Sequence, residues 1–167
     1  MIFVLMGVTG SGKSTIGTLL AERIGAEFAD GDDYHPLANK QKMAAGHPLN
    51  DEDRKPWLET LNGIIRRWHE AGKGGVLACS ALKEKYRKTL ETGLPESAMT
   101  FVWLDPPKDL IAERLSERKH EFMNPNLLDS QLQTLEPPSD ALRIVNDRSP
   151  DEIVSQILEH VSPEPIW

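Results

Sequence analysis

The chain opens on five consecutive apolar residues, Ile2-Phe3-Val4-Leu5-Met6, a run of the length expected for a strand covered on both faces. Gly7 ends that run, and the period of the pattern then changes. Ile16, Leu19, Leu20 and Ile24 recur at helical spacing with Gly25 as a stop, which predicts a helix over residues 13–24. A second short strand, Glu27-Phe28-Ala29, leads into the acidic turn Asp30-Gly31-Asp32-Asp33. Helical segments are expected near 36–45 and across 51–71. The longer one carries Trp57, Leu61, Ile64, Ile65 and Trp68 on one face, which assigns both tryptophans to the core. Further strands are predicted at 76–79, 100–104 and 142–145, and a last helix at 151–161 is opened by Ser149-Pro150. Five strands alternating with helices describe a three-layer α/β/α fold on a five-stranded parallel sheet, with residues 2–6 as its central strand. In such sheets ligands bind outside the carboxyl ends of the strands.

A length of 167 residues suits one domain, and no repeat or low-complexity linker divides it. The proline-rich tail 162–167 is expected to fray. A net charge of -7 argues against a general binder of nucleic acid or anionic membranes, so any anionic ligand must be held by local charge. The apolar run at the start is too short for a secretory leader or a membrane span. Cys79, the single cysteine, has no disulfide partner in the chain and reads as a buried strand residue of a cytoplasmic protein.

The chemistry begins where the first strand ends. Gly7-Val8-Thr9-Gly10-Ser11-Gly12-Lys13-Ser14 satisfies the phosphate-binding pattern G-x-x-x-x-G-K-[ST], between a predicted strand and a predicted helix. Its glycines let main-chain N–H groups turn toward phosphates, and the helix N-terminus adds a positive dipole end. Gly7, Thr9, Gly10, Ser11, Gly12, Lys13, Ser14 and Thr15 are therefore candidate ATP ligands. Lys13 would bridge the β- and γ-phosphates and Ser14 would ligate Mg²⁺. Asn39-Lys40-Gln41-Lys42 imitates half of a guanine-reading motif, but Lys42 stands where an aspartate is needed, which counts against a GTPase.

A phosphotransferase also needs a lid that excludes water and brings arginines to the γ-phosphate. Arg114, Arg118, Lys119 and His120 fit that task in a lid segment around 118–134, with a solvated helix end as the competing reading. Asp105, at the tip of the fourth predicted strand, reads as a turn or helix-cap residue because Pro106-Pro107 follows it. Asp30 is then the better second candidate for the metal.

Several blocks of the chain resemble the gluconokinase family. They are Leu5-Met6-Gly7-Val8 with the P-loop, Asp30-Gly31-Asp32 with His35-Pro36 and Asn39, and Lys42-Met43-Ala44 with Gly46. Further on come Pro48 to Leu58 with its Asp-Arg-x-Pro-Trp core, Cys79-Ser80-Ala81-Leu82-Lys83 with Tyr86-Arg87, and Arg114-Leu115, Arg118, His120 and Phe122. The resemblance implies transfer of the γ-phosphate of ATP, with Mg²⁺, to the 6-hydroxyl of D-gluconate, and a possible homodimer. It also implies that Asn146 to Pro150 lie near the base.

Gluconate offers a carboxylate, a row of hydroxyls and a primary alcohol, so its site needs a cation, polar groups and a base. Asp32 is the candidate to orient or deprotonate the attacking hydroxyl, with a helix-capping turn residue as the alternative. Arg54, Lys83 and Arg87 are candidates for the carboxylate and polyol. Arg54 is also placed to pair with Asp51 or Asp53. Ser80 is read either as a substrate donor or as a helix N-cap. His35 is read as a polyol ligand or a turn stabiliser, and His120 as a lid residue. The rival readings are a related P-loop kinase acting on shikimate or a nucleotide, and a nucleotide-dependent switch.

Overall fold

The computed structural model describes residues 1–117 and 125–161. Its sheet has five parallel strands, β1 (Ile2–Met6), β2 (Glu27–Asp30), β3 (Gly75–Ala78), β4 (Met99–Leu104) and β5 (Leu142–Ile144), in the order β2-β3-β1-β4-β5. The central place of β1 follows from its uninterrupted apolar run. Ile2 pairs in register with Gly75 on one side and Met99 on the other, and all five β1 residues are buried. Alternate side chains divide between two cores: Ile2, Val4 and Met6 enter one, Phe3 and Leu5 the other.

Helices α1 (Lys13–Ile24) and α7 (Pro150–Val161) cover the face to which Phe3 and Leu5 point. The opposite face is covered by α3 (Asp51–Glu70) and α4 (Glu84–Glu91), with Ile111 of α5 (Lys108–Glu117) and Leu128 of α6 (Pro125–Thr134) joining that core. The short α2 (Leu37–Ala44) precedes α3. Trp57 and Trp68 are buried on the inner face of α3, as the helical spacing predicts. A capping box starts α3: Asn50 accepts from the Asp53 N–H, and Asp53 accepts from the Asn50 N–H.

The predicted strand ends lie within one residue of those observed. Three local assignments are corrected. Lys83, not Ser80, is the N-cap of α4. Pro36 occupies that position in α2, so Asp32 does not cap it; Asp30 accepts from the Asp32 N–H and caps the 3₁₀ turn Gly31–Tyr34. Asp105 is no helix cap either, since its carboxylate takes hydrogen bonds from Arg143 on β5 at 2.7 and 2.8 Å. Cys79 is buried immediately after β3, and desolvation pushes its thiol up to about 12, leaving it protonated and unreactive. Among the described residues no helix is long and apolar enough to cross a membrane. Arg118, Lys119 and His120, with the first part of the expected lid, lie outside the described residues.

Candidate active site at the carboxyl edge of the sheet

The loop between β1 and α1 is shaped by glycines in conformations that L side chains rarely adopt: φ is 76° at Gly10 and 98° at Gly12. A Cβ on Gly12 would overlap Asn146 Nδ2, because Asn146 reaches under the loop to donate to the Ser11 carbonyl at 2.7 Å. Arg114 braces the same region, donating to the Gly10 and Asn146 carbonyls at 3.4 and 3.1 Å. The Lys13 ammonium donates to the Gly7 and Val8 carbonyls, each at 2.9 Å. Among the described residues no side chain caps the N-terminus of α1. Among the described residues the buried Ser11 Oγ has no hydrogen-bond partner. Gln131 on α6 accepts from the Thr9 N–H at 2.7 Å, a contact that no pattern in the amphipathic α6 sequence signals.

One carboxylate joins this cradle to its neighbour. Asp30, at the tip of β2, accepts from the Ser14 hydroxyl at 2.6 Å through one oxygen and from the Asp32 N–H at 3.0 Å through the other. Ser14 and Asp30 thus present two hard oxygen donors side by side, a donor set suited to Mg²⁺. Among the described residues no group of three or more His, Cys, Asp or Glu could hold a metal.

Across from the loop, the Asp32 side chain is largely exposed and lies 3.8 Å from His35 Nε2. His35 is buried, stacked on Trp57 with ring centroids 3.9 Å apart, and Trp57 is itself tied to the Gly31 carbonyl at 2.7 Å. Desolvation first, and then the Arg54 and Lys40 charges, lower the His35 pKa to about 4, so the ring is neutral. Beside it Arg54 is buried and donates to the Tyr86 hydroxyl at 2.8 Å, its guanidinium 5.1 Å from the Tyr86 ring centre. The pairing expected between Arg54 and Asp51 or Asp53 is not what forms among the described residues. Asp51 is taken instead by Lys85, Tyr86 and Lys83, which hold its carboxyl well below the usual range. Asp53 pairs with Lys42 at 2.6 Å.

The third strand supplies the remaining wall. The Ser80 carbonyl accepts from the Gly7 N–H at 3.3 Å, which seats the loop after β3 against the phosphate cradle. Ala81 follows with φ of 47°, a left-handed conformation held by Arg87, which donates to the Ala81 and Glu136 carbonyls at 2.7 and 3.0 Å. Arg87 is thus buried against main chain, and Lys83 reaches toward Tyr86 and Asp51. The structure therefore brings Asp30, Asp32, His35, Arg54, Ser80 and Lys83 to the same sheet edge as the P-loop, and gives Arg87 a bracing position behind them. Tyr86, at the centre of the Arg54–Asp51 cluster, was legible only as part of a motif and not by function.

A family model described as shikimate kinase matches residues 9–162. The gluconokinase of Gluconobacter oxydans is 43% identical, over 96% of this chain and 91% of its own. The thermoresistant gluconokinase of Escherichia coli is 41% identical over 95% of this chain and 91% of its own. Among solved structures, a gluconokinase from Sinorhizobium meliloti has a TM-score of 0.81 at 39% identity, covering 94% of this chain and 89% of its own. With that level of identity carried over nearly the whole chain, the chain belongs to the gluconokinase family, within the shikimate-kinase group of P-loop kinases.

Proposed function

We propose that this chain transfers the γ-phosphate of ATP to the 6-hydroxyl of D-gluconate, as a cytoplasmic enzyme. The observation that carries this reading is the juxtaposition of a P-loop with an exposed carboxylate, a neutral histidine and a buried arginine, in a chain of the gluconokinase family. Lys13 leaves the Gly7 and Val8 carbonyls to meet the β- and γ-phosphates, and the N–H groups of the loop and of the first turn of α1 take the remaining oxygens. Ser14 and Asp30 would hold Mg²⁺, which would supply charge neutralisation across the phosphates. Arg114, already beside Gly10, together with Arg118 and His120 of the expected lid segment 118–134, is assigned to the transferred group.

Asp32 accepts the hydrogen bond of the attacking hydroxyl and, as the bond to phosphorus forms, its proton. His35 and Ser80 meet hydroxyls along the chain of the sugar acid. Arg54 and Lys83 meet its carboxylate, a guanidinium already desolvated being a strong partner for a second anion. Arg87 holds the left-handed Ala81 turn on which Ser80 and Lys83 are mounted.

A coupled ATPase assay against gluconate, other sugar acids, neutral sugars, shikimate and nucleoside monophosphates tests the substrate. Turnover confined to gluconate and near relatives is expected. Strong turnover on shikimate or a nucleotide with none on gluconate sinks the substrate while sparing the phosphotransfer.

A further inference from the structure

The turn after β2 and the first turns of α2 and α3 converge on one imidazole. His35 is faced by Asp32 from its own turn, by Asn39 and Lys40 from α2, and by Arg54 and Trp57 from α3. Asn39 is 4% exposed and has no place in the reaction as described so far.

Its amide can be oriented by elimination. The Asp53 carbonyl can only accept, so the Asn39 atom that meets it at 2.8 Å is Nδ2. That same Nδ2 lies 3.3 Å from His35 Nδ1. An amide nitrogen is a donor only, so Nδ1 must offer a lone pair and carries no proton. A neutral ring then keeps its single proton on Nε2. This nitrogen is 3.8 Å from Asp32 Oδ1, too far for a direct hydrogen bond. It is also a spacing in which one oxygen can sit about 2.8 Å from both atoms.

We propose that Asn39 is a positioning residue that locks His35 in the Nε2–H tautomer, so that His35 and Asp32 form a donor–acceptor pair gripping the attacking hydroxyl. The inference rests on the reading of Asp32 given above. The hydroxyl donates its proton toward Asp32, and one of its two lone pairs accepts from His35 Nε2–H. With the C–O bond as the third fixed direction, the second lone pair has a single direction left, toward the phosphorus. As the O–P bond forms, the bond to the leaving oxygen of ADP breaks and the hydroxyl proton passes to Asp32. His35 keeps its proton throughout. The burial of the ring and the nearby Arg54 and Lys40 charges keep it from becoming a doubly protonated cation, which would erase the selectivity of the lock.

The tautomer can be read directly from long-range ¹H–¹⁵N correlations of the labelled full-length protein near neutral pH, with His35 assigned by its loss in His35→Gln. The expected wild-type pattern is Nε2–H. Asn39→Asp sets a carboxylate opposite Nδ1 and should move a proton onto that nitrogen, with kcat down about tenfold and KM for ATP unchanged. Asn39→Ala removes the anchor without adding charge. It should give a mixture of tautomers and a smaller loss in kcat, and it keeps the test decisive if the aspartate variant folds poorly. A wild-type ring protonated on Nδ1 overturns the proposal. So does an Asn39 variant that loses kcat while His35 keeps its Nε2–H pattern, because Asn39 would then act through the fold alone. If the tautomer responds as expected but Asp32→Asn turns over normally, the lock stands and the assignment of Asp32 fails.

Discussion

The two halves of the site recognise their ligands by different means. At the phosphate end the groups on offer are mostly main chain: left-handed glycines, amides at an uncapped helix start, and one mobile-headed lysine parked on the loop's own carbonyls. At the acceptor end they are side chains held by other side chains, with Arg54 on Tyr86, Tyr86 on Asp51, and His35 on Trp57 and Asn39. A triphosphate tail is the same in every nucleotide, so a cradle made of backbone serves any member of the fold. A polyol must be distinguished from its neighbours, and only side chains carry that information.

Substitutions should therefore separate the two ends by which kinetic constant they move. Lys13→Ala is expected to have the largest effect, a loss in kcat/KM of about 1,000-fold with either substrate varied, since it removes the charge that meets the transferring group. A near-normal rate in that variant would mean that the backbone alone suffices. Asp32→Asn should lower kcat about 100-fold while nucleotide affinity, measured by titration calorimetry, stays close to wild type. Loss of nucleotide binding instead would merge the two ends into one.

The histidine supports a comparison of stability as well as of rate. Its folded pKa of about 4 lies below the unfolded value near 6.5, so between those values the unfolded chain binds a proton that the folded one refuses. Stability is whole above that window and falls as the pH drops through it, by ~2 kcal/mol for this group by pH 5. Urea unfolding at pH 7 and pH 5 should show the loss in the wild type and a flatter response in His35→Gln. An equal slope in both proteins would assign the acid sensitivity to other groups. The smallest effect is expected of Arg54→Met, which should raise KM for gluconate about tenfold with kcat and KM for ATP little changed. An unchanged KM for gluconate would remove Arg54 from the substrate.

The same contrast explains what could be read without coordinates. The sheet, its central strand and the P-loop helix follow from local signals: an apolar run, a change of period, and glycines followed by Lys-Ser. Those signals lie within a few residues of each other. The acceptor end is assembled across separate segments, Arg54 meeting Tyr86 32 residues on, and there short-range logic misled. Arg54 stands in an acidic stretch, which suggested a local ion pair, yet the helix turns Arg54 inward to Tyr86 while Asp51 is claimed by α4 and the loop before it. Ser80 looks like a cap because it follows a strand, but the left-handed Ala81 delays the helix until Glu84. Gln131, which braces the P-loop from α6, carries no mark in the sequence that distinguishes it from a surface residue, and only the family resemblance points to Asn146, which braces the loop from beyond β5.

The carboxylate of Asp30 has a consequence beyond the ion it is proposed to hold. Because one oxygen faces Ser14 and the other faces the amide of Asp32, a single carboxyl group spaces the phosphate cradle from the turn that carries Asp32. Such a spacer does not depend on what the recipient is. The wall of arginine, tyrosine and histidine can be rebuilt for a different alcohol while the spacing between the loop and the turn stays the same.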